Sequence, residues 1–319
     1  MSKTPIPGFL EIIRHRPTTF SLLSPLFLKG KMKVTLDPES GFCFGVDRAI
    51  KIAEAELDAG KIVYALGEMV HNQVEMERLK AKGLVIISHD DLPALKGKTI
   101  LVRAHGEPPE TFKRAAELGI SVINATCPIV NKLQDRIKKS FNLESATTTQ
   151  LVIYGKPDHA EVIGLNGNAG NSSIIISKQA DTRKIDFAKP VRLFSQTTMD
   201  AESYSLVSAE IKKGMEAQGN SDLVIHQSVC RQVSGRTPFL TGFAAQHDVI
   251  VFVGGKNSSN GACLFGICKV VNEKSYYVSG IEDIDSKWFI EAESVGVTGA
   301  TSTPSWLIHK VAELVTGIS

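Results

Sequence analysis

The sequence predicts an α/β fold made of three small units with parallel sheets, and three observations carry that prediction. Short β-branched or apolar runs alternate with helical stretches of ten or so residues, the pattern of βαβ units. The apolar runs end in a glycine followed by a cluster of hydrogen-bonding side chains, and in a parallel sheet ligands gather beyond those carboxyl ends. Finally, Cys43, Cys127 and Cys230 each follow a strand-like run and precede a helix, at intervals of 84 and 103 residues. Such intervals are far too wide for a local zinc-finger loop. They suit one α/β unit between each pair of cysteines, so that three thiols converge on one point.

The elements follow in order. Residues 1–31 carry the apolar stretch Phe20 to Leu28, but Pro25 interrupts it, Lys29 and Lys31 follow it, and no small-residue cleavage site appears. They are expected to be a poorly ordered N-terminal extension. A first domain spans 32–127: a strand from Val34, the cysteine, and a helix with Val46, Ile50, Ala53 and Leu57 on one face, stopped by Gly60. Strands from Lys61, Leu84 and Thr99 lead to the tips at His71 and His105. The run Val122 to Ala125 ends at Cys127, and Pro128 suits the first turn of a helix, where a missing N–H goes unnoticed. A second domain, 128–225, holds that helix, an exposed polar loop at 142–149, a strand reaching His159 and Glu161, a strand reaching Thr197, and a helix with Tyr204, Val207, Ile211 and Met215 on one face. A third, 226–319, places strands before Gly254 and Gly299 and ends in a helix after Pro304.

Composition narrows the function. A formal net charge of +2 over 319 residues is too small for an extended nucleic-acid surface, and no apolar run approaches the ~20 residues needed to span a bilayer. The expected partner is a small molecule, with neither nucleic acid nor membrane involved. Five cysteines at wide spacings do not form the framework of a secreted disulfide domain, so a reducing, cytoplasmic location is expected.

Three thiolates can hold a metal centre while leaving one position open: a cubane iron–sulfur cluster with a free iron, or a zinc with its water. Cys263 and Cys268, inside a helical run, are expected to be packing residues. Lys256 to Asn260 opens a helix, where free N–H groups, the hydroxyls of Ser258 and Ser259 and a carboxamide can cradle phosphate oxygens. His71, His105 and Ser302 can add donors to the same anion, and His159 stands at a comparable tip. Glu161 is the candidate for proton delivery, since a dry pocket beside an anion favours its protonated form. No Gly-rich dinucleotide or P-loop fingerprint appears.

Eight motifs in register, Gly-Phe-Cys43-Phe-Gly-Val, Val-His71-Asn, Arg-Ala-His105-Gly, Ala-Thr-Cys127-Pro, His159-Ala-Glu161-Val, Ser-Gln-Thr197-Thr198, Lys-Asn-Ser258-Ser259-Asn260 and Ser302-Thr-Pro, resemble those of the 4-hydroxy-3-methylbut-2-enyl diphosphate reductase family. The likeness covers nearly everything after Met32. It implies a cloverleaf of three α/β domains, with pseudo-threefold symmetry, around one [4Fe-4S] cluster held by Cys43, Cys127 and Cys230. It also implies reductive removal of an allylic hydroxyl by two electrons, giving isopentenyl and dimethylallyl diphosphates, the last step of the non-mevalonate isoprenoid pathway. Diphosphate contacts carry over to His71, His105, His159, Ser258, Ser259, Asn260 and Ser302, the proton donor to Glu161, and the threonine that positions the hydroxyl to Thr197. A ferredoxin or flavodoxin is the electron donor the resemblance implies. Two departures stand out: the run after Cys230, in which Arg236 keeps its place, and Phe44, where the family more often has alanine.

Overall fold

Short runs of Val, Ile and Leu cannot bury two faces alone, so each pairs with parallel neighbours and is covered by helices. The computed structural model describes residues 31–143 and 148–318; residues 1–30 of the expected extension and 144–147 of the expected polar loop lie outside them. In chain order the elements are β1 (Lys33–Leu36), α1 (Phe44–Asp58), β2 (Val63–Leu66), α2 (Gln73–Ala81), β3 (Leu84–Ile87), β4 (Thr99–Val102), α3 (Pro109–Glu117), β5 (Ser121–Asn124) and α4 (Pro128–Leu143). Then come β6 (Gln150–Tyr154), α5 (Ala160–Asn168), β7 (Ile174–Ile176), β8 (Val191–Ser195), α6 (Ala201–Ala217) and β9 (Leu223–Ile225). The last third holds α7 (Arg231–Ser234), α8 (Arg236–Ala245), β10 (Val249–Val253), α9 (Ser259–Val271), β11 (Ser275–Val278), β12 (Ser294–Gly299) and α10 (Ser305–Ile318).

The strands form three four-stranded parallel sheets. Sheet B runs β5-β4-β2-β3, sheet C runs β9-β8-β6-β7 and sheet A runs β1-β12-β10-β11. Read this way, all three have one plan, and the cysteine follows the first strand named in each. β10 shows why parallel sheets carry unbroken apolar runs: all five of its residues are buried between two layers of side chains. One layer includes Val251, Val297, Ile308 and Val311, and the other includes Ile250, Phe252, Leu264 and Cys268.

The sheets divide the chain differently from the linear boundaries expected at 32, 128 and 226. β1 pairs with β12, Lys33 to Leu36 against Ser294 to Val297, so the strand before Cys43 belongs with the C-terminal segment. The physical reason is a buried clamp. Arg236 of α8 pairs with Asp37 at the end of β1, and Thr298 of β12 donates to the same carboxylate. Sequence separation hides such a partnership. Two outer strands, β7 and β11, were also not expected; one is three residues long, and the other, Ser-Tyr-Tyr-Val, lacks a plain apolar run.

Candidate active site

Each sheet delivers three tips to the site. At the first, the cysteine takes the position just before a helix: the carbonyls of Cys43, Cys127 and Cys230 accept from the N–H of Asp47, Asn131 and Ser234, one helical turn on. Each thiol thus stands at the N-terminal end of a helix. The cysteine amides are held alike, Cys127 donating to the carbonyl of Ala104 at 3.0 Å, Cys230 to Thr197 at 2.8 Å and Cys43 to Thr301 at 3.1 Å. In each case the acceptor is the tip of the adjacent strand.

The thiols are close enough to act on one another. Burial pushes the Cys43 thiol up, and Cys127 and Cys230 add to the shift. A Cβ on Gly45 would stand 2.5 Å from the Cys127 sulfur, so the glycine after Phe44 is required by the neighbouring thiol. Phe44 itself is 56 % exposed and fills none of that space. Among the described residues, His71, His105 and His159 offer three ligand atoms that all lie within 4.8 Å of one another.

The three imidazoles form a second group, with ring centroids 5.2 to 6.2 Å apart. His159 caps α5, and its Nδ1 accepts the Glu161 N–H at 3.2 Å, so the neutral ring carries its proton on Nε2. Burial lowers the pKa of all three; Arg103 and neighbouring imidazoles or Lys156 lower it further, bringing His159 to about 4. In the free chain these rings are neutral donors at pH 7. Arg103 was assigned no role from sequence, yet its guanidinium lies against Gly67 and donates to the Glu68 carbonyl at 3.0 Å. Arg103 Nε, His105 Nδ1 and Asn72 Nδ2 are buried without a hydrogen-bond partner. Buried donors left unpaired are costly, and a bound anion would relieve that cost.

Glu161 is 1 % exposed. Its Oε1 accepts the Thr197 N–H at 2.7 Å and its Oε2 accepts the Thr197 hydroxyl at 2.9 Å. Those bonds favour the carboxylate, but burial outweighs them and raises the pKa to about 7. A carboxyl poised there can hold a proton at neutral pH and give it up.

In unit A, Ser258 caps α9, accepting the Gly261 N–H at 2.9 Å, and its Oγ lies 3.0 Å from that of Ser302. Asn260 sits beside Thr301, whose N–H and hydroxyl reach its Oδ1 at 3.3 and 2.8 Å. The Ser259 side chain lies outside the described set. A Cβ on Gly255 would fall 2.0 Å from the His71 carbonyl oxygen, so units A and B meet here only because that position is glycine. One expectation needs correction: Cys268 is buried, but Cys263 is exposed and faces a cleft of about 230 Å³ with Thr198, Asp200 and Asn260. The apolar face of α9 passes through Leu264 and Cys268, four apart, which turns Cys263 outward.

The LytB protein family model matches residues 34–316. A relative from Bacteroides thetaiotaomicron, named 4-hydroxy-3-methylbut-2-enyl diphosphate reductase, is 46 % identical over 280 residues, 88 % of this chain and 96 % of its own length. One of the same name from Chlorobium phaeovibrioides is 41 % identical, covering 88 % and 97 %. A solved structure of (E)-4-hydroxy-3-methyl-but-2-enyl diphosphate reductase, the terminal enzyme of the non-mevalonate pathway, superposes with a TM-score of 0.69 at 30 % identity, over 90 % of this chain and 99 % of that one. The corresponding Plasmodium falciparum reductase gives 0.77 at 25 % identity, over 90 % and 88 %.

Proposed function

This chain belongs to the LytB protein family, and on that premise we propose that it reduces 4-hydroxy-3-methylbut-2-enyl diphosphate to isopentenyl and dimethylallyl diphosphates. The observation that carries the reading is the meeting of three thiols, three neutral imidazoles and one buried carboxyl with a pKa near 7 at the tips of three like sheets. The family implies an iron–sulfur cluster, and we propose its form as [4Fe-4S] on Cys43, Cys127 and Cys230. Their places at helix N-termini, one at the tip of each of three like sheets, fit such a centre. When bound, it supplies electrons and an open Lewis-acidic position.

The chain's own residues supply the rest. His71, His105 and His159, with Arg103 behind them, hold the diphosphate and keep its charge away from the electron-rich centre. Ser258, Ser259, Asn260 and Ser302 hold it from the other side, at the starts of α9 and α10. Glu161 keeps a proton at the allylic hydroxyl, with Thr197 fixing the carboxyl by two hydrogen bonds. The balance is two electrons and two protons: one proton leaves with the hydroxyl as water, and the other is added to either end of the allyl unit. Two products follow from those two ends. A ferredoxin or flavodoxin in the cytoplasm is the electron source this chemistry fits, and no described helix is long and apolar enough to cross a membrane.

Anaerobically purified protein, given dithionite and a viologen mediator, tests the reading. It should be brown and consume the allylic diphosphate, releasing both five-carbon diphosphates. A brown protein that binds the diphosphate without turnover, or a colourless one with full turnover, would contradict it.

A further inference from the structure

The tips of sheets C and A repeat one another at a level the proposed chemistry uses once. Glu161 stands six residues past Gly155, just beyond β6, and accepts both the N–H and the hydroxyl of Thr197. Asn260 stands six residues past Gly254, just beyond β10, and accepts both the N–H and the hydroxyl of Thr301. Thr197 and Thr301 are themselves equivalent. Each lies two residues past its strand and takes the amide of that sheet's cysteine on its carbonyl. Sheet B has no such pair: Gln73 and Ala104 hold the two positions, and alanine brings no hydroxyl.

The doubled contact settles which way the Asn260 amide faces. A backbone N–H can only donate, so the atom turned to Thr301 must be the carboxamide oxygen, and Nδ2 is left as the group offered to a ligand. We propose that Thr301 is a positioning residue for anion binding, holding Asn260 with its NH₂ toward the diphosphate as Thr197 holds the Glu161 carboxyl. The inference rests on the reading of Asn260 as a diphosphate contact. Without the hydroxyl, only the 3.3 Å N–H bond resists rotation of the amide. A turned amide would set its oxygen against phosphate oxygens, which repel it. The same fold position thus serves two tasks: an acid where a proton must move, and a neutral donor where an anion must be held.

The test measures inorganic pyrophosphate binding by anaerobic calorimetry on the cluster-loaded protein, alongside steady-state kinetics with the allylic diphosphate. Thr301→Val should weaken pyrophosphate binding and raise KM by about tenfold, the loss of one oriented hydrogen bond, with kcat changed much less. Thr301→Ser, which keeps the hydroxyl, should restore the wild-type values. Wild type that binds pyrophosphate normally while Thr301→Val matches it, or Thr301→Ser failing as badly as Thr301→Val, overturns the inference alone. Wild type that binds no pyrophosphate overturns the diphosphate reading and the inference with it.

Discussion

Sheets C and A share one plan but are assembled from differently ordered pieces. Sheet C takes its four strands in succession from 150 to 225, whereas sheet A takes three from the end of the chain and its cysteine strand from the beginning. The fastenings differ to match. In sheet C, Arg192 of β8 pairs at 2.6 Å with Asp222, just before the cysteine strand, and the carboxylate is half exposed. In sheet A the corresponding job falls to Arg236 and Asp37, both almost wholly buried. A strand joined by a short segment costs little entropy to dock, while β1, some 260 residues from its partner, needs a stronger non-local hold. Three equivalent thiols require three equivalent edge strands, and the first of them had to come from the far end of the sequence.

The sharpest contrast between the two sheets is acid against amide. Glu161→Gln makes the tip of sheet C chemically like that of sheet A, and should lower kcat about 10²- to 10⁴-fold. Its pyrophosphate affinity should stay within about twofold in calorimetry, because the shape is kept, the amide oxygen accepting the Thr197 N–H and the NH₂ donating to the Thr197 hydroxyl. Loss of binding together with turnover would place Glu161 in the anion site instead.

The fastenings come next. Arg236→Met leaves Asp37 buried and unpaired, and should cost about 3 to 5 kcal/mol of stability in urea denaturation. Arg192→Met, its counterpart in sheet C, should cost no more than about 1 kcal/mol, since that pair is partly solvated. Equal losses would remove the distinction between an imported and a continuous strand.

Acidity separates the sheets again. Because the Glu161 carboxyl titrates at about 7, kcat/KM should fall as pH rises above that value, and Glu161→Gln should lack that limb. The linkage has one sign: a raised carboxyl pKa gives stability present in full below the unfolded value, about 4.5, and lost as pH rises through about 7. The imidazoles shift the other way. His159, lowered to about 4, is neutral in the free chain, so pyrophosphate binding near pH 6 should draw protons onto the cluster of rings. Calorimetry in buffers of different ionisation enthalpy would detect the uptake, and a buffer-independent heat would exclude it.

Much of this was legible in the letters because it is local. A β-branched run, a cysteine and a proline at the next residue announce a strand tip and a helix start, as at Cys127. The capping serine at 258 and the helical face of α6 are likewise visible in spacing. The parts that stayed hidden are non-local. Nothing near Asp37 states that its partner is Arg236, and nothing near Asn260 states that Thr301 will meet it. Arg103 had a local signal, a cation directly after a buried strand and two residues before a histidine, but only the fold shows it turned toward Gly67 and the imidazoles. Glu161 was named from its place two residues past His159 and again through the family likeness; its burial and its pKa near 7 come from the packing of α5 against the tip of β8.

Convergence of three sulfurs from three sheets is the claim on which the rest depends. Iron and sulfide analysis of anaerobically isolated protein, with each of Cys43, Cys127 and Cys230 changed in turn to serine, tests it most directly. About four irons and four sulfides per chain are expected in the wild type, with each single change sharply lowering both. One zinc per chain without sulfide, or a full cluster surviving the loss of any one of the three, would contradict it.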